Sequence, residues 1–599
     1  MVFEIQEGDS TLVSRITFAG NQAFSEGRLR EAISTREQAF WRFLSNADEY
    51  SPDRANFDRE LLRRYYLKNG YADVEVADPR AQLAPDRKSF FMTFTIKEGE
   101  RYKVGKIEVQ SKLRNLAPDL LQPFTELDPN DWYDGDAVDR STEKMADFAQ
   151  AHGYPFAEVR PQVRRNAEAH TVDLIFEAID GPRVYIDRIE IAGNTRTKDR
   201  VIRRELRMAE GDAYSPDAIR RNRTRLTDLG YFDNVQINPV QSPGAADRVN
   251  LNLEVAEKAT GDVTVGGGFS TDVGALVSAG LHERNLVGTG IDAGINGVLA
   301  QKQSQISLSV TDPYFLDRNL VAGVELFRIQ DNNQDIARYN EKRTGISLRL
   351  GYEYNEHFRQ SWTYTLVQRN VYAVNTGASI YVQDMAGNSL LSQISQLFTI
   401  DYRDSVLEPH RGFVVRVGTD FAGVGGDARY FRGKLDGQYL LPLDWISGNS
   451  DYTLVIGGST GYLGQLGVKE KIIDRFFLGG ENLRGFLSGG VGPHDQTTGD
   501  SLGGRFIWTQ STEVRFPLPL PADLGLSGRA FVDIGSLSQS SKSLAGSPVF
   551  EDTAPRMSAG VGVSWKSPFG VINIDLGKAL IKKRFDQTQI FRFGFGTGF

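Results

Sequence analysis

The sequence predicts two architectures in one chain: tandem α+β modules of β-α-α-β-β order, then a transmembrane antiparallel β-barrel of about sixteen strands. Three observations carry that expectation. Only 13 of the 61 glycines lie in residues 1–260 and 48 lie in 261–599, so the composition changes near Gly261. Before that change a single pattern recurs at a spacing of roughly 80 residues, the mark of stacked modules. After it, apolar residues alternate with polar ones or glycine at period two, with almost no helical period.

The helices of the amino-terminal region carry start and stop signals. Gly70-Tyr71, Gly153-Tyr154 and Gly230-Tyr231 each close an amphipathic run. In the third run Ile219, Leu226 and Leu229 share one face, and Arg220, Arg221, Arg223 and Arg225 fill the rest, which reads as plain solvated surface. Ser51-Pro52, Tyr133-Asp134 and Ser215-Pro216 supply capping residues upstream, two of them before a first-turn proline. Strand pairs flank the helices: Phe94 to Gly99 leads into Ile107-Glu108-Val109, and Phe176 to Gly181 leads into Ile189 to Asn194. These junctions set the modules at 13–104, 105–186 and 187–260, each with helices on one face of a small sheet. Phe3 to Gly8 followed by Arg15 to Asn21 matches the same junction, and Met1-Val2-Phe3-Glu4 opens no basic-then-apolar leader. Residues 1–12 are therefore expected to be the remnant strand of a preceding module, in a chain trimmed at its amino terminus.

Residues 261–599 read as the barrel. Ile346 to Tyr354, Ala559 to Trp565, Ile572 to Gly577 and Phe591 to Phe599 all alternate strictly. Alternation alone suits a water-soluble sandwich or a membrane barrel equally. Aromatic residues at strand ends (Tyr352, Tyr354, Trp565, Phe599), loops that are alternately short and long, and strands that run to the last residue favour the membrane. A crossing strand needs about 9–11 residues, roughly 20 with its loop, which gives about sixteen strands.

The composition excludes several classes. Mean hydropathy is −0.35, and no apolar stretch approaches the roughly 18–20 residues of a membrane-spanning helix. A net charge of −8 lacks the basic footprint of a nucleic-acid binder. Zero cysteines removes thiol catalysis, thiolate metal sites and disulfides together. Gly457-Gly458-Ser459-Thr460-Gly461 matches a nucleophile elbow in letters only, because the strand-turn-helix context is missing. The six histidines are scattered without ligand spacing. No catalytic site, metal or cofactor is expected.

Gly479-Gly480-Glu481-Asn482-Leu483-Arg484-Gly485-Phe486 resembles the Arg-Gly-Phe loop motif of the POTRA-plus-barrel superfamily. Thr311-Asp312-Pro313-Tyr314-Phe315, Phe531 to Gly535, Met557 to Gly560 and the terminal Phe599 support the likeness, which runs over essentially the whole chain and is nearest to the BamA family of outer-membrane protein assembly factors. The modules resemble POTRA domains. That resemblance implies a bacterial outer-membrane location with the modules in the periplasm. It also implies unfolded outer-membrane proteins as clients, periplasmic lipoprotein subunits as partners, outer-membrane lipid around the barrel, and no nucleic acid. It further implies a lumenal loop motif of Arg484, Gly485 and Phe486, with Glu513 and Asp533 as loop partners. Alternation puts both acids on the lumenal side, where a guanidinium needs carboxylates for forked hydrogen bonds. Gly266, Gly267 and Gly268 on the first strand, and Gly594, Gly596 and Gly598 with Phe599 on the last, either suit barrel curvature or weaken the seam; the resemblance implies a lateral gate there. Asp233 is the candidate contact for a docking lipoprotein. A TamA-like factor, a two-partner secretion translocator and a passive pore are the rival readings.

Overall fold

In the computed structural model the described residues are 11–596, except 40–46, 85–88, 153, 155, 181–183, 244, 246, 356, 407–408, 444–451, 469, 521–523, 541–546 and 568–569. The strand expected over 1–12 falls mainly on residues 1–10, outside the described residues, as do Gly598 and Phe599.

Three modules open the chain. The first runs β1 (Leu12–Ala19), α1 (Glu26–Ala32), α2 (Pro52–Lys68), β2 (Glu75–Val76), β3 (Arg80–Leu83) and β4 (Ser89–Lys97). The second runs β5 (Lys103–Ser111), α3 (Pro118–Leu121), α4 (Gly135–Ala151), β6 (Ala157–Asn166) and β7 (Thr171–Asp180). The third runs β8 (Tyr185–Ala192), α5 (Asp199–Arg203), α6 (Pro216–Asp228), β9 (Phe232–Gln241) and β10 (Arg248–Glu257). In each, the first strand lies parallel to the last. β5 and β8 start at Lys103 and Tyr185, so the strands begin two residues ahead of the boundaries read at 105 and 187. Period-two burial makes each core: Val172, Leu174, Phe176 and Ala178 of β7 are buried and their neighbours are not. The caps act as read, with the Ser51 and Asp134 side chains accepting from first-turn N–H groups of α2 and α4. One expectation changes. Arg220 and Arg221 of α6 are not merely solvated, since they donate to Glu143 (2.7 Å) and Asp147 (2.9 Å) on α4.

The barrel strands are β11 (Gly261–Ser270), β12 (Gly274–Glu283), β13 (Asp292–Ala300), β14 (Gln303–Asp312), β15 (Val321–Asn332), β16 (Asn340–Glu353), β17 (Phe358–Tyr372) and β18 (Gly387–Asp401). β19 (Gly412–Gly426), β20 (Tyr430–Pro442) and β21 (Thr453–Gln465) lead into a long loop that carries the short β22 (His494–Asp495). β23 (Phe506–Pro517) and β24 (Leu526–Ser538) follow, then the short β25 (Val549–Phe550), which pairs with β22. β26 (Arg556–Ser567), β27 (Gly570–Ile581) and β28 (Phe591–Gly596) complete a closed antiparallel ring of sixteen strands, with β22 and β25 outside it. Closure removes the free edges that so large a sheet would otherwise expose. The outward face is apolar, with Val263 73% and Val265 79% exposed on β11. Tyr352 and Tyr354 form an exposed aromatic cluster with Phe358, whose ring stacks on Tyr354, at the β16–β17 strand ends. The wall is uneven: β11 to β14 have 9 or 10 residues, whereas β17, β18 and β19 have 15.

The chain divides into two compact units. One comprises Met1–Gly193, Leu206–Asp228 and Asn234–Val255; the other comprises Asn194–Glu205, Leu229–Asp233 and Ala256–Phe599.

Candidate functional site

The long loop between β21 and β23 folds back into the lumen and is pinned to the wall at separate places. Arg484 makes one of these pins. Its Nε and Nη2 donate to the two oxygens of Asp533, each at 2.8 Å, and its Nη1 donates to Glu513 Oε2 at 2.6 Å. The Arg484 backbone N–H also reaches Asp533, at 3.1 Å. Strand alternation puts Glu513 on β23 and Asp533 on β24 on the lumenal face, where their side chains are 8% and 3% exposed against 12% for Arg484. At that burial an unpaired charge would be costly, so the forked geometry is what makes the arrangement tolerable. Gly485 has φ +88°, and a Cβ there would press on Ser558 and on the backbone of Gly577. Gly577 in turn leaves room for no side chain, because its Cβ would lie 2.8 Å from the Gly485 nitrogen. Two glycines thus let loop and wall touch backbone to backbone. Phe486 is 1% exposed in a cluster with Leu478, Leu483, Val491, Ile507 and Leu537.

The pinned loop also holds the chain that precedes the last strand. Gln589 N–H donates to Gly485 O (3.1 Å), Leu487 N–H to Gln587 O (2.9 Å) and Gln587 N–H to Gly490 O (2.9 Å). Among the described residues β11 and β28 pair through Phe269 with Phe595 and Ser270 with Gly594, and the Thr271 N–H donates to Phe593 O at 3.0 Å. Arg592 of β28 crosses the seam to ion-pair with Asp272, and it also approaches Glu481 of the loop at 3.4 Å. A cavity of about 300 Å³ is lined by Arg484, Glu513, Arg592 and Ser270, so pin and seam share one polar space.

A family model described as the Omp85 superfamily domain matches residues 285–599, and the POTRA model, described as "Surface antigen variable number repeat", matches 11–99, 102–178 and 184–258. The chain is 30% identical to an outer membrane protein assembly factor BamA of Neorickettsia risticii (strain Illinois), over 99% of this chain and 79% of the relative. The chain belongs to the BamA family of the Omp85 superfamily. A second BamA, from Neisseria meningitidis serogroup B, is 28% identical over the same shares of the two chains. Among solved structures, BamA from Haemophilus ducreyi lacking POTRA domains 1-3 superposes with a TM-score of 0.62 at 22% identity, covering 83% of this chain and 99% of that one, which is a likeness of fold. Like the family, the barrel lies in the outer membrane, with its POTRA modules in the periplasm. The turns on the side of the ring where β11 begins, such as 284–291 and 313–320, are then periplasmic, and the long loop starts from the cell surface.

Within this Omp85 barrel the residues expected at the loop come together, and of the expected seam residues Gly594 lies against the first strand. Gly594 pairs with Ser270 across the seam; Gly266, Gly267 and Gly268 pair with Ser278, Val277 and Leu276 of β12 on the other edge of β11, and Gly598 and Phe599 lie outside the described residues. Gly596 pairs with Val571 on β27. Asp233 is exposed on β9. Several lumenal partners escaped the sequence reading. Phe531 lies 3.5 Å under the Arg484 guanidinium, Ser511 accepts from Arg484 Nη2 (3.0 Å), and Arg515 donates to Glu513 (2.9 Å). Each is two residues from Glu513 or Asp533 on the same strand face, so the alternation that found the acids also marks them. A second buried pin, Arg369 of β17 to Asp474 of the loop at 2.6 Å, had no such signal.

Proposed function

We propose that this BamA-family protein is the central subunit of an outer-membrane β-barrel assembly machine. Its POTRA modules receive unfolded client proteins by pairing with extended segments at their sheet edges, and lipoprotein subunits dock on the third module near Asp233. The barrel opens between β11 and β28 and offers those edges to an incoming client strand. No nucleotide or metal takes part. The observation that carries this reading is the seam: among the described residues two residue pairs join β11 to β28, whereas β16 and β17 share fourteen. Arg484 supports it from behind, because its fork to Glu513 and Asp533 fixes the loop that grips Gln587 and Gln589 just before β28. The wall therefore keeps its last strand in place while the strand pairing itself stays weak.

The test uses the absence of native cysteines. Ser270→Cys and Gly594→Cys face each other across the seam, at the spacing an antiparallel pair gives a disulfide. Oxidation should stop insertion of an unfolded client barrel by the protein in liposomes, and reductant should restore it. Full client insertion with the seam locked would overturn the gate.

A further inference from the structure

Two periplasmic turns beside the short side of the barrel repeat one anomaly. Between β12 and β13, Asn285 (φ −132°, ψ 58°) leads to Leu286 and then Val287 at φ 52°. Between β14 and β15, Tyr314 (φ −131°, ψ 57°) leads to Phe315 and then Leu316 at φ 58°. The left-handed region suits glycine or asparagine, and a β-branched residue there is a true outlier. Both side chains are nevertheless aliphatic and left outside, with Val287 81% and Leu316 72% exposed. Strained backbone and apolar exposure thus coincide twice at the same turn position, and neither is favourable in water.

The opposite sides of these turns are fastened. Asn285 Nδ2 donates to Thr197 Oγ1 at 2.8 Å and the Lys198 N–H to Gly288 O at 2.9 Å. Tyr314 donates its hydroxyl to Glu205 at 3.0 Å, and the Arg204 guanidinium lies 4.4 Å over its ring. The tips are therefore held in place, and they extend the outward apolar belt of Leu281, Ile295, Val310 and Val324, which are 55%, 47%, 41% and 44% exposed. They do so where the wall is lowest, since β12, β13 and β14 have 10, 9 and 10 residues. A short wall leaves the leaflet to thin or to find apolar surface beyond the strand ends.

We propose that Val287 and Leu316 insert into the periplasmic leaflet of the outer membrane as a pair of lipid anchors on the seam side of the barrel. The inference rests on the membrane reading of the barrel and not on its assembly activity. Their occupant is acyl chain and glycerol backbone, because the anchors continue a face that lipid already covers. They set the depth of the leaflet next to β11.

Single Val287→Cys and Leu316→Cys variants, labelled with an environment-sensitive fluorophore, would be reconstituted in phosphatidylcholine and phosphatidylglycerol vesicles containing shallow-quencher lipids. A Glu168→Cys label on the exposed β6–β7 turn serves as the aqueous control. Both anchor labels should emit to the blue of the control and lose roughly half their intensity to the lipid quencher while resisting aqueous iodide. Control-like emission and full iodide access would overturn the proposal, and this is also the result if the turns instead dock a protein subunit. A Val287→Gly, Leu316→Gly double variant keeps the left-handed turns while removing the apolar tips, so it should fold normally in detergent. Its insertion into long-chain vesicles should slow severalfold, with little change in short-chain ones; an unchanged rate in both would overturn the proposal. Neither readout needs a client, so a failed gate and a failed anchor are told apart.

Discussion

Arg484 shows how much of a site can rest on one side chain. Five donor hydrogens on a planar fork match Asp533 and Glu513 together, and a lysine carries the charge without the fork. Arg484→Lys should therefore weaken the loop, and Arg484→Ala should cost about 3–5 kcal/mol, because it leaves two buried carboxylates facing each other. Arg484→Glu should fail to give a heat-modifiable folded barrel on gels, with partial recovery when Asp533→Arg is added. Normal folding and activity of the single reversal would rule out the pin. Glu257, outside the membrane strands, makes the complementary case in the periplasm. Burial opposes its ionisation, yet the donors of Thr195, Arg196 and Thr197 outweigh that and hold its carboxyl at about 2, against an ordinary 4.5. The unfolded chain takes up the proton at the higher value. The stabilisation is thus complete above pH 4.5 and is lost as pH falls through about 2. Hydrogen exchange of the three amides should be slow at neutral pH and should lose its protection across that window. In Glu257→Gln it should be fast throughout, and equal protection in both proteins would refute the clasp.

At the level of elements, the described part of the seam combines a two-pair ladder with the Arg592–Asp272 ion pair. Arg592 and Asp272 are 15% and 28% exposed, so salt screens them only partly, and the pair is worth more than a fully exposed bridge. In the Ser270→Cys, Gly594→Cys background, Asp272→Arg should lower oxidative cross-linking by roughly two- to threefold, and adding Arg592→Asp should restore it. Equal cross-linking in all three would show that the ion pair does not hold the seam. The seam also marks the limit of what the sequence reveals. Glu513 and Asp533 could be read because period two assigns a face to every strand residue. The stagger that sets Ser270 against Gly594 could not, because ring closure fixes it and it has no local signal. Asp474 was hidden for a related reason: its approach to Arg369 depends on the path of the long loop, and so does the pairing of His494-Asp495 with Val549-Phe550.

For the whole molecule, the change in glycine content near Gly261 marked a difference in how the modules and the barrel are stabilised. Each POTRA module buries its own small core, such as Ile16, Leu62, Tyr66 and Phe94 in the first. The contacts of α6 with α4 include the half-exposed pairs Arg220–Glu143 and Arg221–Asp147, each worth at most about 1 kcal/mol. The barrel unit instead satisfies its backbone around a ring and adds buried pins such as Arg369–Asp474, whose side chains are 5% and 2% exposed. Small cores joined by weak contacts should open before a closed ring does. Urea titration in detergent micelles should therefore give two transitions. The earlier one should change helical circular dichroism and the environment of Trp132 in the second module. The later one should change the gel mobility of the folded barrel and the environments of Trp362, Trp508 and Trp565. With no disulfide in the chain, reductant should shift neither midpoint. A single transition coincident by all these probes would mean that modules and barrel unfold as one cooperative body.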